Sequence, residues 1–227
     1  MIRLSIVVPV LNEQEVLSAT LAAIQEGAPD AEVIVVDGGS SDASVRIAEQ
    51  FTDQVLAAPR GRAQQQNLGA ARSSGEALVF VHSDTIVPPT FSDDIAAALT
   101  DPWVCGGRFD IRFDDPRAIS RLIGRAISLR SRLTRSATGD QAIFVRRATF
   151  ARLGGFPEIP ICEDLALMRL LKRAGRVACL RSTVTSSARR WQHGGFARTI
   201  VLLWTIKSLY LCGVAPERLA RWYADVR

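Results

Sequence analysis

The chain has 227 residues, 48% hydrophobic and 22% charged, with a net charge of +5. Apolar residues run throughout, which excludes wholesale disorder and leaves room for a sizeable core in one large domain. Apart from Lys172 and Lys207 the basic residues are arginine, and that excess favours anionic partners without choosing among phosphates, lipids and nucleic acid.

"LSIVVPVL" (Leu4 to Leu11) is a continuous apolar run, as in a strand buried on both faces. It reads as a first strand and not as a secretory leader. "EQEVLSATLAAIQEG" (Glu13 to Gly27) has helical spacing at Val16, Leu17, Leu21 and Ile24, then stops at a glycine. "EVIVVD" (Glu32 to Asp37) predicts a second buried strand, "SDASVRIAEQF" (Ser41 to Phe51) a helix and "QVLAA" a short third strand. "AQQQNLGAARSS" (Ala63 to Ser74) reads as helix and "ALVFV" (Ala77 to Val81) as a fourth strand. This alternation implies right-handed β-α-β units and a mainly parallel sheet.

The second half differs. "WVCGGRFDIRF" (Trp103 to Phe113) alternates like a half-exposed strand. "PRAISRLIGRAISLRSRL" (Pro116 to Leu133) is an amphipathic helix, with Ile119, Leu122, Ile123 and Ile127 on one face. Arg117, Arg121, Arg125 and Arg132 lie on another. "QAIFV" predicts a strand, "EDLALMRLLKRAG" (Glu163 to Gly175) a helix and "RVACL" a last strand. Two helical stretches close the chain. The expected organisation is one domain over 1–191 and a helical extension over 192–227.

The four cysteines are far apart, without CxxC spacing, and read as buried, reduced thiols. "IVLLWTIKSLYLCGV" (Ile200 to Val214) is interrupted by Lys207 and falls short of the roughly 20 residues that span a bilayer. It suits an interfacial helix better than a spanning one.

In open parallel sheets, ligands bind beyond the carboxyl ends of the strands. Strand one ends in "PVLNE", with Pro9, Asn12 and Glu13; strand two ends in "DGGSSD", with Asp37 and Gly38; strand four ends in "HSDT", with His82, Ser83 and Asp84. A lone aspartate such as Asp84 can hold a metal, cap a helix or be a polar strand end. Asp37 suits hydrogen bonds from a base or ribose, and equally a turn. Neither the GxxxxGK[ST] phosphate loop nor the GxGxxG signature is present, which argues against triphosphate hydrolysis and hydride transfer.

"LSIVVPVLNE", "EVIVVDGGSSD", "NLGAARSSGEALVFVHSDT", "LGGFPEIPICEDLALMRLLKRAG" and "ARRW" occur in this order. Together they closely resemble the family 2 glycosyltransferases, over about residue 4 to residue 191. "GDQAIFVRR" with "LGGFPEIPICED" is also similar to a small bacterial subgroup of the arsenosugar-biosynthesis type. The resemblance implies the GT-A fold, a Rossmann-like α/β sheet flanked by helices. It implies a nucleoside diphosphate sugar donor, a UDP-sugar as the family-based guess, and an acceptor hydroxyl that the motifs leave open, a lipid-linked molecule being one option. Pro9, Asn12 and Glu13 would line the nucleoside pocket, Asp37 and Gly38 would meet the base, and Arg62 would lie beside the nucleotide.

The family has Asp-x-Asp where this chain has His82-Ser83-Asp84. Asp84 matches the carboxylate that holds Mg2+ or Mn2+ against the diphosphate, and His82 replaces the first acid. A hard cation held by one carboxylate and substrate phosphates is reasonable chemistry. The "ED" pair supplies the general base, Asp164 with Glu163 as the alternative. Asp140 in "GDQ" matches the sugar or acceptor side. Arg190 and Trp191 match the RW of a QxxRW motif, with Ser187 in place of the glutamine, which argues against processive synthesis. The implied activity is metal-dependent, inverting glycosyl transfer in the cytoplasm. The Arg-rich helix over Pro116 to Leu133 and the apolar C-terminal stretch suit either peripheral contact at the inner face of the membrane or a helix packed on the sheet with a solvated basic face. A sugar-nucleotide nucleotidyltransferase and a catalytically inactive binding module are the alternatives. Nucleic acid is not an expected partner, since the arginines are not interleaved with an aromatic platform.

Overall fold

The computed structural model describes residues 2–189 and 195–226. The elements run β1 (Leu4–Val10), α1 (Leu17–Gly27), β2 (Glu32–Asp37), α2 (Ser44–Ala48), β3 (Val55–Ala57), α3 (Arg62–Arg72) and β4 (Ala77–Phe80). They continue with β5 (Thr85–Ile86), α4 (Phe91–Ala98), β6 (Val104–Phe113), α5 (Ala118–Thr134), a 3-10 turn (Gly139–Gln141), β7 (Ile143–Arg146) and α6 (Arg147–Leu153). Then come α7 (Glu163–Ala174), β8 (Arg176–Ser186), α8 (Phe196–Leu211) and α9 (Pro216–Val226).

One sheet of eight strands carries the fold, in the order β3-β2-β1-β4-β7-β6-β8-β5. The first four strands are parallel to one another, as the alternation of strand and helix requires. The other half is mixed. β7 runs antiparallel to β4 and β6, and β8 runs parallel to β6. The carboxyl ends of β1, β2, β4, β6 and β8 therefore share one edge with the start of β7. Phe80 of β4 faces Ile143 of β7 there.

The strand β1 shows why the sheet is buried on both sides. Leu4, Ile6, Val8 and Val10 join Leu17, Leu21 and Ile24 of α1 and Phe91 and Ile95 of α4 in one core. Val7 points the other way, into a core with Ile34, Val36, Leu78, Phe80, Leu167 and Met168. Full burial of each such side chain stabilises the fold by roughly 1.5–3 kcal/mol. Helix α3 lies so close to the sheet that a Cβ on Gly69 would come within 2.4 Å of a Val7 methyl carbon.

Four expectations change. β6 alternates in sequence, yet nearly every residue is buried, because β7 and β8 flank it and helices cover it. Helix α5 buries Ile123, and Ile127 is half-buried, but Ile119 and Leu122 are exposed. Its buried face is completed by Ser120, Gly124, Ser128 and Ser131. A Cβ on Gly124 would meet the Ile111 carbonyl at 3.0 Å, and Ser128 Oγ accepts the Ile111 N–H at 3.0 Å, so small residues fill the contact and larger ones turn away. Arg132, itself exposed, reaches from the solvated face to the buried Asp110 carboxylate, which the fully buried Arg108 also binds. Of the cysteines, all free, Cys105 and Cys162 are buried, Cys179 is half-buried and Cys212 is exposed.

Helix α8 docks on the start of α7, where Ile206 packs with Cys162 and Leu165. Among the described residues, no helix is long and apolar enough to cross a membrane.

Candidate active site

The strand ends open into one cleft of about 1030 Å3, walled by α5, the 3-10 turn, the start of α7 and α8. It brings together Asn12, Glu13, Arg62, His82, Asp84, Asp140, Glu163 and Asp164. Residues from distant parts of the sequence meet because parallel strands deliver their ends to one edge.

Each loop is held by specific bonds. Asn12 has a left-handed backbone, φ 55°, which asparagine tolerates. Its N–H donates to Ser40 Oγ at 2.9 Å and its Oδ1 accepts the Ser41 N–H at 2.8 Å. The loops after β1 and β2 are thereby clasped together. Gln65 of α3 supports both from beneath, its Nε2 donating to the Val10 and Val36 carbonyls at 2.9 and 2.8 Å. "HSDT" is a tight turn in which the Thr85 N–H donates to the His82 carbonyl at 3.1 Å. Thr20 Oγ1 anchors the turn by donating to the Ser83 carbonyl at 2.8 Å. The Asp84 carbonyl accepts the Ser187 N–H at 3.1 Å, which ties the turn to the end of β8.

Four expected contacts lie outside the wall of this cleft: Pro9, Asp37, Gly38 and Ser83. Pro9 and Ser83 are buried. Asp37 accepts the N–H groups of Gly39 at 2.9 Å and Ser40 at 3.0 Å, so its carboxylate holds its own turn. Gly38 lies over Gln65, which a Cβ would approach to 3.1 Å. Arg190 and Trp191 lie outside the described residues.

The acidic pair starts α7. Cys162 precedes it with φ 68°, a left-handed conformation that turns the chain into the helix. Asp164 Oδ2 accepts the Gly139 N–H at 2.8 Å and Oδ1 accepts the Leu165 N–H at 2.6 Å. Arg62 pairs with Glu163 at 3.5 Å. Burial, and then the charge of Glu163, push the Asp164 carboxyl up to about 7 against the pull of Arg62. A carboxylate near neutrality and facing a cleft has the properties of a general base. The neighbouring Cys162 thiol is pushed up to about 12 by burial and the two acids, so it is inert as a nucleophile. Asp140 accepts a hydrogen bond from Thr138 Oγ1 at 2.5 Å and faces the same space.

His82 stacks over the 3-10 turn so closely that a Cβ on Gly139 would come within 2.3 Å of its Nε2. Glycine at 139 thus allows His82, Asp140 and Asp164 to share one wall. Asp84 and His82 are both half-buried in the cleft. Among the described residues no group of three or more His, Cys, Asp or Glu side chains could by itself cage a metal ion. The donor set fits a hard cation that takes Asp84 as its protein ligand and phosphate oxygens for the rest.

Sequence reasoning missed four residues here. Glu13 pairs with Arg189 at 2.5 Å, and Arg189 also lies in the field of Asp84. Gln65 carried no signal beyond a polar run in a helix. Arg130 is out of phase with the basic face of α5. Lys207, the single charge within an apolar run, was the readable clue.

The sequence model described as "Glycosyl transferase family 2" matches residues 5–154. None of the curated protein sequences compared matches the chain. S. aureus TarS 1–349 in complex with UDP-GlcNAc is similar in structure, with TM-score 0.67 and 18% identity over 82% of this chain. This chain spans 59% of that fragment. The mannosyltransferase PcManGT from Pyrobaculum calidifontis, in complex with GDP-Man and Mn2+, gives TM-score 0.65 and 19% identity over 99% of this chain and 70% of its own. Glucosyl-3-phosphoglycerate synthase from Mycobacterium tuberculosis, in complex with Mg2+ and UDP, gives 0.63 and 20% over 94% and 80%. These likenesses establish the GT-A fold. With the family model matching residues 5–154, through the strand-end motifs of β1, β2 and β4, the chain belongs to glycosyl transferase family 2.

Proposed function

We propose that the protein transfers a sugar from a nucleoside diphosphate sugar to an acceptor hydroxyl, with inversion at the anomeric carbon. The observation that carries this reading is the raised, doubly anchored Asp164 carboxylate in a cleft that also holds Asp84. Asp164 takes the proton of the attacking hydroxyl, and its two backbone hydrogen bonds fix the direction from which it does so. Arg62 and Glu163 set its charge environment, and Asp140 orients hydroxyls of the sugar or acceptor. Asp84 would hold Mg2+ or Mn2+, which when bound neutralises charge on the leaving diphosphate. The Asn12 clasp keeps the nucleoside end in place, with Asp37 supporting its loop.

The divalent metal is supported by neighbours that hold Mn2+ or Mg2+ with their nucleotides. The arsenosugar-type subgroup, a uridine donor, a cytoplasmic location and the division at residue 191 are further parts of the proposal. The full chain is to be incubated with UDP- and GDP-sugars and Mn2+, following release of the nucleoside diphosphate. Asp164→Asn is expected to lower turnover about 10²–10⁴-fold, the usual range for a lost general base. Asp84→Ala is expected to remove the response to metal. Full turnover in both folded variants would sink the assignments.

A further inference from the structure

The cleft has two chemistries. Its strand-end half is polar, and the cations there are paired, Arg62 with Glu163 and Arg189 with Glu13. The half between α5 and α8 is apolar, with Leu122, Ile127, Leu203 and Trp204 on its walls. Three cations on α5 and α8 line the cleft, the exposed Arg198 and the half-buried Arg130 and Lys207. Lys207 makes no hydrogen bond or ion pair among the described residues. Arg130 donates from Nη2 to Ser131 Oγ at 3.3 Å, while its buried Nε has no partner. Burial, and then the charge of Arg130, lower the Lys207 amine to about 8. Asp164 attracts both cations across the cleft and Asp140 also attracts Arg130, yet among the described residues neither carboxylate forms an ion pair with them, so an added anion can bridge the two.

The apolar wall also continues outward. Leu122, Leu129, Val201 and Trp204 are 62%, 56%, 64% and 65% exposed, and the exposed Arg121 and Arg125 lie on the same helix as the leucines. Apolar side chains beside arginines suit a surface of anionic headgroups over acyl chains. A free sugar acceptor would instead need hydrogen-bonding walls.

We propose that the acceptor is an anionic lipid whose headgroup carries a hydroxyl, its chain lying between α5 and α8 and its anion between Arg130 and Lys207. This rests on the transferase reading. The hydroxyl oxygen bonds to the anomeric carbon as that carbon's bond to the diphosphate breaks. The electron pair leaves with the diphosphate and the hydroxyl proton passes to Asp164.

The test uses the full chain and three soluble probes. Dihexanoyl phosphatidylglycerol carries anion, hydroxyl and chain; glycerol phosphate lacks the chain; octyl glucoside lacks the anion. Binding is read from Trp204 emission, with Trp204→Phe as the optical control, and needs no donor turnover. The phospholipid is expected to bind about tenfold or more tightly than either partial probe, and to receive labelled sugar when a donor is present. Lys207→Met and Arg130→Met are expected to erase its advantage over octyl glucoside. Either partial probe binding as tightly as the phospholipid overturns the proposal. So do variants that weaken a nucleoside diphosphate as much as the lipid, because the cations then serve the donor. Lipid binding without nucleoside diphosphate release from any donor overturns the transferase reading, and with it the acceptor role.

Discussion

The carboxylate of Asp164 accepts the Gly139 backbone N–H at 2.8 Å, which ties the start of α7 to the turn that precedes β7. Two segments 25 residues apart thus build one wall of the cleft. The bond fixes the orientation of the proposed base, while burial and Glu163 set its proton affinity. Its consequence is a pH dependence. Turnover is expected to fall as pH drops through about 7, where Asp164 takes up a proton and ceases to act as a base. A pH profile of nucleoside diphosphate release checks this; a flat profile between pH 5 and 8 would contradict it.

The same group affects stability. Its folded-state pKa of about 7 lies above the ordinary 3.8, so the native state binds this proton more tightly than the unfolded chain. The resulting stabilisation is fully present below the ordinary value and is lost as pH rises through about 7. Asp164→Asn removes that dependence. Denaturant unfolding across pH 4 to 8 is expected to show the wild-type chain losing stability relative to the variant as pH rises. A constant difference would mean that Asp164 titrates normally.

Gly139 leaves room for His82. Gly139→Ala places a methyl group 2.3 Å from the ring Nε2, so the ring must turn aside. The cost in stability is expected to be about 1–3 kcal/mol, the usual range for overpacking. Turnover should fall by more than that loss explains, because His82 and the Gly139–Asp164 bond move together. Thermal unfolding and steady-state rates on one preparation separate the two effects.

Gln65 ties α3 to the ends of β1 and β2. Gln65→Leu retains the volume but removes both hydrogen bonds to the Val10 and Val36 carbonyls. A loss of roughly 1–3 kcal/mol is expected, since buried carbonyls lose a donor. Nucleotide affinity should fall with it, because the loops that Gln65 supports include Asn12. Calorimetric titration with a nucleoside diphosphate reads the second effect.

The parallel half of the sheet was legible because continuous apolar runs such as Leu4 to Val10 leave no alternative to double burial. Asp84 ends that half, and Glu163 and Asp164, which the family resemblance singles out on α7, line the same cleft. The two-residue β5 and the helices α4 and α6, of eight and seven residues, have no counterpart among the expected elements. α5 was seen as a helix, but its packing was misjudged. The apolar pattern at Ile119 and Leu122 looks like a core face, yet the sheet is met by serines and a glycine. Close approach to β6 selects size over hydropathy, and periodicity does not register size. Asp37 illustrates a further gap: a carboxylate suited to a ligand and one suited to a turn look alike until their partners are placed.

The most direct test of nucleotide-sugar transfer at this site is thermal unfolding of the full chain with a panel of nucleoside diphosphates, with and without Mn2+. Only a ligand that binds the native state raises the transition. The expected result is a metal-dependent rise with UDP or GDP that is lost in Asp84→Ala. No rise with any diphosphate, with or without metal, would contradict the account and leave "HSDT" a strand end without a ligand.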